Sequence, residues 1–214
     1  VGVGVSAGYY NVTGQANTYI GNQSGQGDTN QSNQENTAVG YQSLFNITTG
    51  QQNVAMGVAA GRTLTTISKA VLVGYHAGYS LNSTDANGTV LVGHRAGRSL
   101  THPAATVLIG SGSGANLTTA DSNVVVGHRA LPVGTTANSN VIMGSYAANA
   151  LTTGEYNVFL GYQVATDTTT ASGSVFIGNN AGTGVTTGQE NIAIGKRAMG
   201  ASTITGNKNI MIGN

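Results

Sequence analysis

An apolar tripeptide closed by glycine recurs along the whole chain, as in Val54-Ala55-Met56-Gly57, Val71-Leu72-Val73-Gly74, Val90-Leu91-Val92-Gly93 and Val175-Phe176-Ile177-Gly178. The closing glycines are Gly4, Gly21, Gly40, Gly57, Gly74, Gly93, Gly110, Gly127, Gly144, Gly161, Gly178, Gly195 and Gly213. They are spaced by 17 residues, apart from two steps of 19 and one of 18. Each column around this anchor keeps its chemistry. The third position before it is always β-branched, from Thr18 and Thr37 to Ile210, and the first before it is aliphatic or Met. The second before it is apolar in every complete repeat. Asn holds the fourth position before it in eight of twelve repeats, for example Asn53, Asn123, Asn157 and Asn191. After the anchor come a small residue at the third position, an aliphatic row at the seventh (Ile47, Leu64, Leu81, Leu100) and Thr at the eighth.

Short β-branched runs bounded by Gly and Asn predict strands rather than helices. A 17-residue period is too short for a helix pair or a propeller blade. It suits one solenoid coil of two short strands and two turns, with equivalent residues stacked about 4.8 Å apart. The predicted fold is therefore all-β: one repetitive parallel β-solenoid or β-roll of about twelve coils, spanning residues 1–214 as a single domain. Stacked Asn side chains can hydrogen-bond from coil to coil. The 19-residue steps predict turn insertions near Gly27–Asn36 and Asp85–Thr89. Because the pattern is already running at both ends, a segment of a longer fibre is expected.

Side chains alternate along a strand, and this sets an expectation for the two faces. If the third and first positions before the glycine point into the coil, the second points out. An outward stripe of Leu72, Leu91, Leu108, Val125, Ile142, Phe159 and Phe176 would then mark a self-association interface.

Composition narrows the function. Gly, with 33 residues, Thr and Asn dominate, and charged residues make up only 7%. Eight Lys+Arg against seven Asp+Glu leave no overall electrostatic footprint for nucleic acid or an anionic membrane. No apolar run is long enough to span a bilayer, and with no Cys there is neither disulfide nor thiolate chemistry. No motif implies a cofactor or a metal. His94 and His128 lie two coils apart, about 9–10 Å by strand spacing, too far to share one ion.

The string Asn36-Thr37-Ala38-Val39-Gly40-Tyr41-Gln42-Ser43-Leu44-Phe45-Asn46-Ile47-Thr48-Thr49-Gly50 resembles the repeats of bacteriophage and prophage tail fibres. The Asn-Val-x-Ile-Gly-x-x-Ala-Gly core is similar to the head repeats of trimeric autotransporter adhesins, although the coils here are longer. The likeness runs from Gly4 to Asn214. It implies a left-handed β-roll, a homotrimer, and a structural or adhesive shaft that attaches to a host cell-surface glycan or protein. The expected location is a virion tail fibre, or the cell surface and extracellular space if the chain is instead a bacterial adhesin or filament subunit.

Tyr41, Tyr75 and Tyr162 follow the anchor directly, as do His94 and His128, each of which precedes an arginine (Arg95, Arg129). With His76 they form the recurring aromatic and basic group, the candidate receptor-binding residues. The bland alternative is that these are turn residues shielding the edge of the roll. Polysaccharide hydrolysis would need two carboxylates about 5–9.5 Å apart at a groove. Asp85, Asp121 and Glu155 share the eleventh position after the anchor, but in alternate coils, and solvated turn carboxylates are the simpler reading. No enzyme is expected. The Thr column raises an ice-binding alternative, yet its pairs are adjacent (Thr48-Thr49, Thr152-Thr153), so the two side chains diverge. Stabilisation of the turns by hydroxyl hydrogen bonds is the better account.

Overall fold

A computed structural model describes residues 1–29, 31–82, 87–200 and 203–214. Thirteen strands form one parallel sheet in strict chain order, each paired with the next. They are β1 (Gly2–Val3), β2 (Thr18–Ile20), β3 (Thr37–Val39), β4 (Val54–Met56), β5 (Val71–Val73), β6 (Val90–Val92) and β7 (Val107–Ile109). There follow β8 (Val124–Val126), β9 (Val141–Met143), β10 (Val158–Leu160), β11 (Val175–Ile177), β12 (Ile192–Ile194) and β13 (Ile210–Ile212). Equivalent residues pair in register, Leu91 with Leu72 and Leu108, Phe159 with Ile142 and Phe176. This is a β-solenoid of about twelve turns, as the glycine spacing predicts.

Among the described residues each coil from β2 onward holds one three-residue strand and not two. The rest of the coil is a chain of turns, with isolated bridges such as Gln34–Gln51 and Val185–Ile204. Those turns are nonetheless bonded from coil to coil: Leu44 N–H donates to Ala60 O and Thr48 N–H to Thr65 O. Left-handed backbone at the second and often the fourth position after the anchor, as at His76, Arg95, Leu44 and Leu131, prevents an extended strand there. The first insertion falls where predicted, since the partners jump from Tyr10–Gln26 to Val12–Gln31. The second, expected near Asp85–Thr89, falls partly on residues 83–86, which lie outside the described residues.

The faces of the strand are the reverse of the expectation. Leu72, Leu91, Leu108, Val125, Ile142, Phe159 and Phe176 are all 0% exposed within the single chain. They fill the solenoid's own core together with Ile47, Leu64, Leu100 and Leu117 and cannot form an outward stripe. The third and first positions before the glycine face out instead, giving an intermediate–buried–intermediate or –exposed pattern on every strand from β2 to β12. The Asn ladder explains why. Asn36 Nδ2 donates to Asn17 Oδ1 (3.2 Å) and to Gly50 O (2.9 Å), and Asn53 Nδ2 donates to Asn36 Oδ1 (3.0 Å) and Ile67 O (2.8 Å). Asn140 and Asn157 repeat this farther along. A buried amide must be saturated, and here the next coil saturates it inside the roll. Strand alternation then carries the residue two places on into the core as well.

Candidate functional site

The turn after each anchor glycine places its first two side chains in stacked columns. The backbone there is pinned on both sides: Arg95 N–H donates to Tyr75 O (2.8 Å), Gly112 N–H to His94 O (2.9 Å) and Arg129 N–H to Ser111 O (2.9 Å). Side chains borne on such a frame are presented with little backbone freedom left to lose.

Six of the eight candidate binding residues come together in two overlapping groups. The Tyr75 ring stacks on His76 (3.9 Å between centroids) and on His94 of the next coil (5.3 Å). His94, Arg95, His128 and Arg129 line a groove of about 410 Å³ with Ser111, Gly112, Ala115, Asn116, Pro132 and Asn149. Tyr41 and Tyr162 are exposed on the same column but lie outside both groups. Sequence reasoning missed Arg62, Tyr79 and Arg98, all five places after an anchor. Tyr79 meets His76 at 4.7 Å, and the Arg62 guanidinium lies over Tyr79 at 5.7 Å and over Phe45 at 5.1 Å. Reading that fifth column downward, Phe45, Arg62, Tyr79, Arg98, would have found them.

The surroundings are cationic. Among the described residues the one ion pair is Lys208–Glu190, far along the chain (3.7 Å). Burial holds the His76 imidazole below its ordinary value of 6.5, and Arg98, Arg95, His94 and Arg62 push in the same direction. The unfolded chain therefore binds a proton at His76 that the folded chain refuses. Stability from this residue is present at neutral pH and is lost as pH falls below about 6.5. Lowering pH from 7.5 to 5.5 should depress the thermal midpoint less in His76→Gln than in the wild type. Gln already occupies the equivalent, left-handed place at Gln23, Gln42 and Gln163. An identical pH slope in the two proteins would remove His76 from the account.

Asp121 and Glu155 are drawn into hydrogen bonds that run from coil to coil. Asp121 Oδ1 accepts the Ala104 N–H (2.8 Å), the Asp121 N–H donates to Asn138 Oδ1 (2.8 Å), and Asn138 Nδ2 donates to Glu155 Oε1 (2.8 Å). Asp121 and Glu155 are thus rungs of a second polar ladder along the eleventh column, while Asp85 lies outside the described residues. The Thr column does the same. Thr48, Thr101, Thr118 and Thr152 each donate a hydroxyl to the carbonyl of the Thr one coil on, at 2.9–3.1 Å. The adjacent row, from Thr49 and Thr66 to Thr170 and Thr187, is exposed. Among the described residues no three His, Asp or Glu gather as a metal site, and no helix is long and apolar enough to cross a membrane. Comparison of the chain with protein-family models, curated proteins and solved structures finds no match.

Proposed function

We propose that this chain is a structural and adhesive rod, the shaft of a trimeric phage tail fibre, which associates with two further copies along the outer face of its sheet. One observation carries the reading. From Val54 to Ile194 every outward position of every strand is aliphatic or Met: Val71 and Val73, Val90 and Val92, Val107 and Ile109, Val124 and Val126, and so on. A sheet with one face in water ordinarily alternates apolar with polar residues. Here both faces read apolar, and no charge interrupts the outer one. Two aliphatic side chains per coil, about 6.6 Å apart and repeated every 4.8 Å or so, make an apolar strip some tens of ångströms long, of the kind that marks an interface.

Threefold symmetry and left-handed winding come from the resemblance of the repeats to tail-fibre and adhesin-head sequences. The place of work is then a virion or a cell surface, and the partner beyond the chain itself is a host glycan or protein met by the turn residues. Val107→Lys with Val141→Lys tests the assembly. The wild type should sediment as a three-chain species, and the double variant as a single chain with an unchanged β-type circular dichroism spectrum. A wild type that stays monomeric at micromolar concentration, or a variant of unchanged mass, would overturn the interface.

A further inference from the structure

Ser111 and Gly112 interrupt a column of large side chains. In the two flanking coils the places after the anchor hold His94-Arg95 and His128-Arg129, and between them stand a hydroxymethyl group and no side chain at all. Stacking leaves a notch one coil high, with the two His-Arg pairs as walls and Gly112 and Ala115 between them. The Arg129 stem leans over it: a Cβ on Gly112 would lie 3.4 Å from Arg129 Cγ. Four of the chain's five arginines, Arg62, Arg95, Arg98 and Arg129, fall within this stretch of coils. No carboxylate lines the notch. The Arg95 and Arg129 guanidinium groups make no side-chain hydrogen bond or ion pair with other described residues.

We propose that the notch binds an acidic polysaccharide, with carboxylate or sulfate groups held by Arg95 and Arg129 and the sugar chain running along the coils. The planar guanidinium fork matches paired acid oxygens. Asn116 and Asn149 at the groove supply amide donors and acceptors for sugar hydroxyls. Arg95 and Arg129 are two coils apart, about 9–10 Å, so two acid groups along one polymer chain can be held at once. A single-stranded nucleic acid is ordinarily held by aromatic side chains on which its bases stack, and the groove is lined by no Phe, Tyr or Trp. The frame is fixed by coil-to-coil hydrogen bonds, so little ordering opposes binding. None of the groove residues belongs to a strand, so the aliphatic rows and the notch are separate surfaces.

The inference rests on the adhesive reading but can fail apart from it. The test is retention on immobilised alginate (carboxylated), dextran sulfate, neutral dextran and oligothymidylate. It compares the wild type with Arg95→Gln/Arg129→Gln and with Ser111→His/Gly112→Arg. The second variant copies the flanking coils, whose Arg residues already hold left-handed backbone (φ 56° and 49°, against 69° at Gly112). It adds positive charge while filling the notch. Wild-type protein should be held by one or both acidic polymers, with the arm that holds it naming the acid group, and retention should fall with salt. Both variants should weaken it, the double Gln change about tenfold or more. Stronger retention by Ser111→His/Gly112→Arg would show diffuse attraction and overturn the groove. So would equal retention on neutral dextran, retention on oligothymidylate alone, or no retention on either acidic polymer. Binding to whole cells, measured on the same samples, separates the two readings. Cell binding without acidic-polymer binding removes the notch and keeps the adhesive rod, and the converse removes the adhesive rod and keeps the notch.

Discussion

Leu108→Asp is expected to unfold the rod, and Ile109→Asp, one residue along, to leave it folded. Leu108 is 0% exposed, paired in register with Leu91 and Val125, and packed over Gly97 and Gly114, where an added Cβ would meet its side chain. Truncating a buried Leu costs about 2–5 kcal/mol. An ionised carboxylate without a partner adds several more, unless it takes up a proton. Against a typical folding stability of about 5–15 kcal/mol, that is enough to lose the middle of the solenoid. Ile109 is 38% exposed on the outer face, where in a separated chain an aspartate stays in water. The cost to a single chain is then the loss of strand propensity, on the order of 1 kcal/mol. Urea melts followed by circular dichroism decide it. If Ile109→Asp unfolds the chain and Leu108→Asp does not, the faces described here are wrong.

The same pair of residues shows how much could be read in advance. Strand positions, coil period and the first insertion follow from the glycine spacing, because a residue forced into an unusual backbone conformation once per coil fixes the register of everything between. The faces were legible too, though from a different column. In most coils the side chains two before and four after the anchor compensate in size: Ala38 with Leu44 and Ala193 with Met199, against Tyr19 with Gly25, Leu91 with Gly97 and Phe176 with Gly182, while Ala55 with Gly61 and Val125 with Leu131 depart from the trend. Such covariation of volume means contact in a close-packed interior. At Gly182 it is explicit, since a Cβ would run into the Phe176 ring. Continuous apolarity of the tripeptide hid this, because a strand apolar on both faces gives no period by which to choose between them.

The candidate site was legible by residue type and not by grouping. Tyr75, His76, His94, Arg95, His128 and Arg129 stand in register, so stacking alone brings them near one another. What creates the groove is the absence of a side chain at Gly112, and a search for chemistry-bearing residues passes over a glycine. The carboxylates show the opposite case. Asp121 and Glu155 carry chemistry by type, but neighbouring N–H groups and amides hold them in a coil-to-coil ladder. The absence of a second strand from the coil was not legible, because left-handed residues other than glycine, such as Leu44, Ala59 and Leu131, carry no mark of that conformation in their identity.

Gly57→Ala is expected to cost the rod about 2–6 kcal/mol, as much as a large core truncation. Two terms act together. The backbone at Gly57 has φ 131°, outside what an L side chain adopts readily, and strain of that kind costs roughly 1–3 kcal/mol. In addition, a Cβ there would sit 2.5 Å from Gly74 O and 2.7 Å from Gly74 C. The obstacle is backbone, and it cannot yield. Gly57 N–H donates to Val39 O and Gly74 N–H to Met56 O, both at 2.8 Å, so parting the coils breaks the ladder on which the sheet depends. Overpacking of this sort costs about 1–3 kcal/mol more. Because each coil contacts only its neighbours, a broken interface in a solenoid lets unfolding spread from the break. Gly112→Ala is the matched control. Its φ of 69° lies in the left-handed region that Ala59 (φ 53°) already occupies in the same column, and the nearest atom to the new Cβ is a flexible Arg129 methylene at 3.4 Å. About 1 kcal/mol is expected there. A Gly57→Ala protein melting within a degree or two of Gly112→Ala would show that the glycine stack is not what holds successive coils at their spacing.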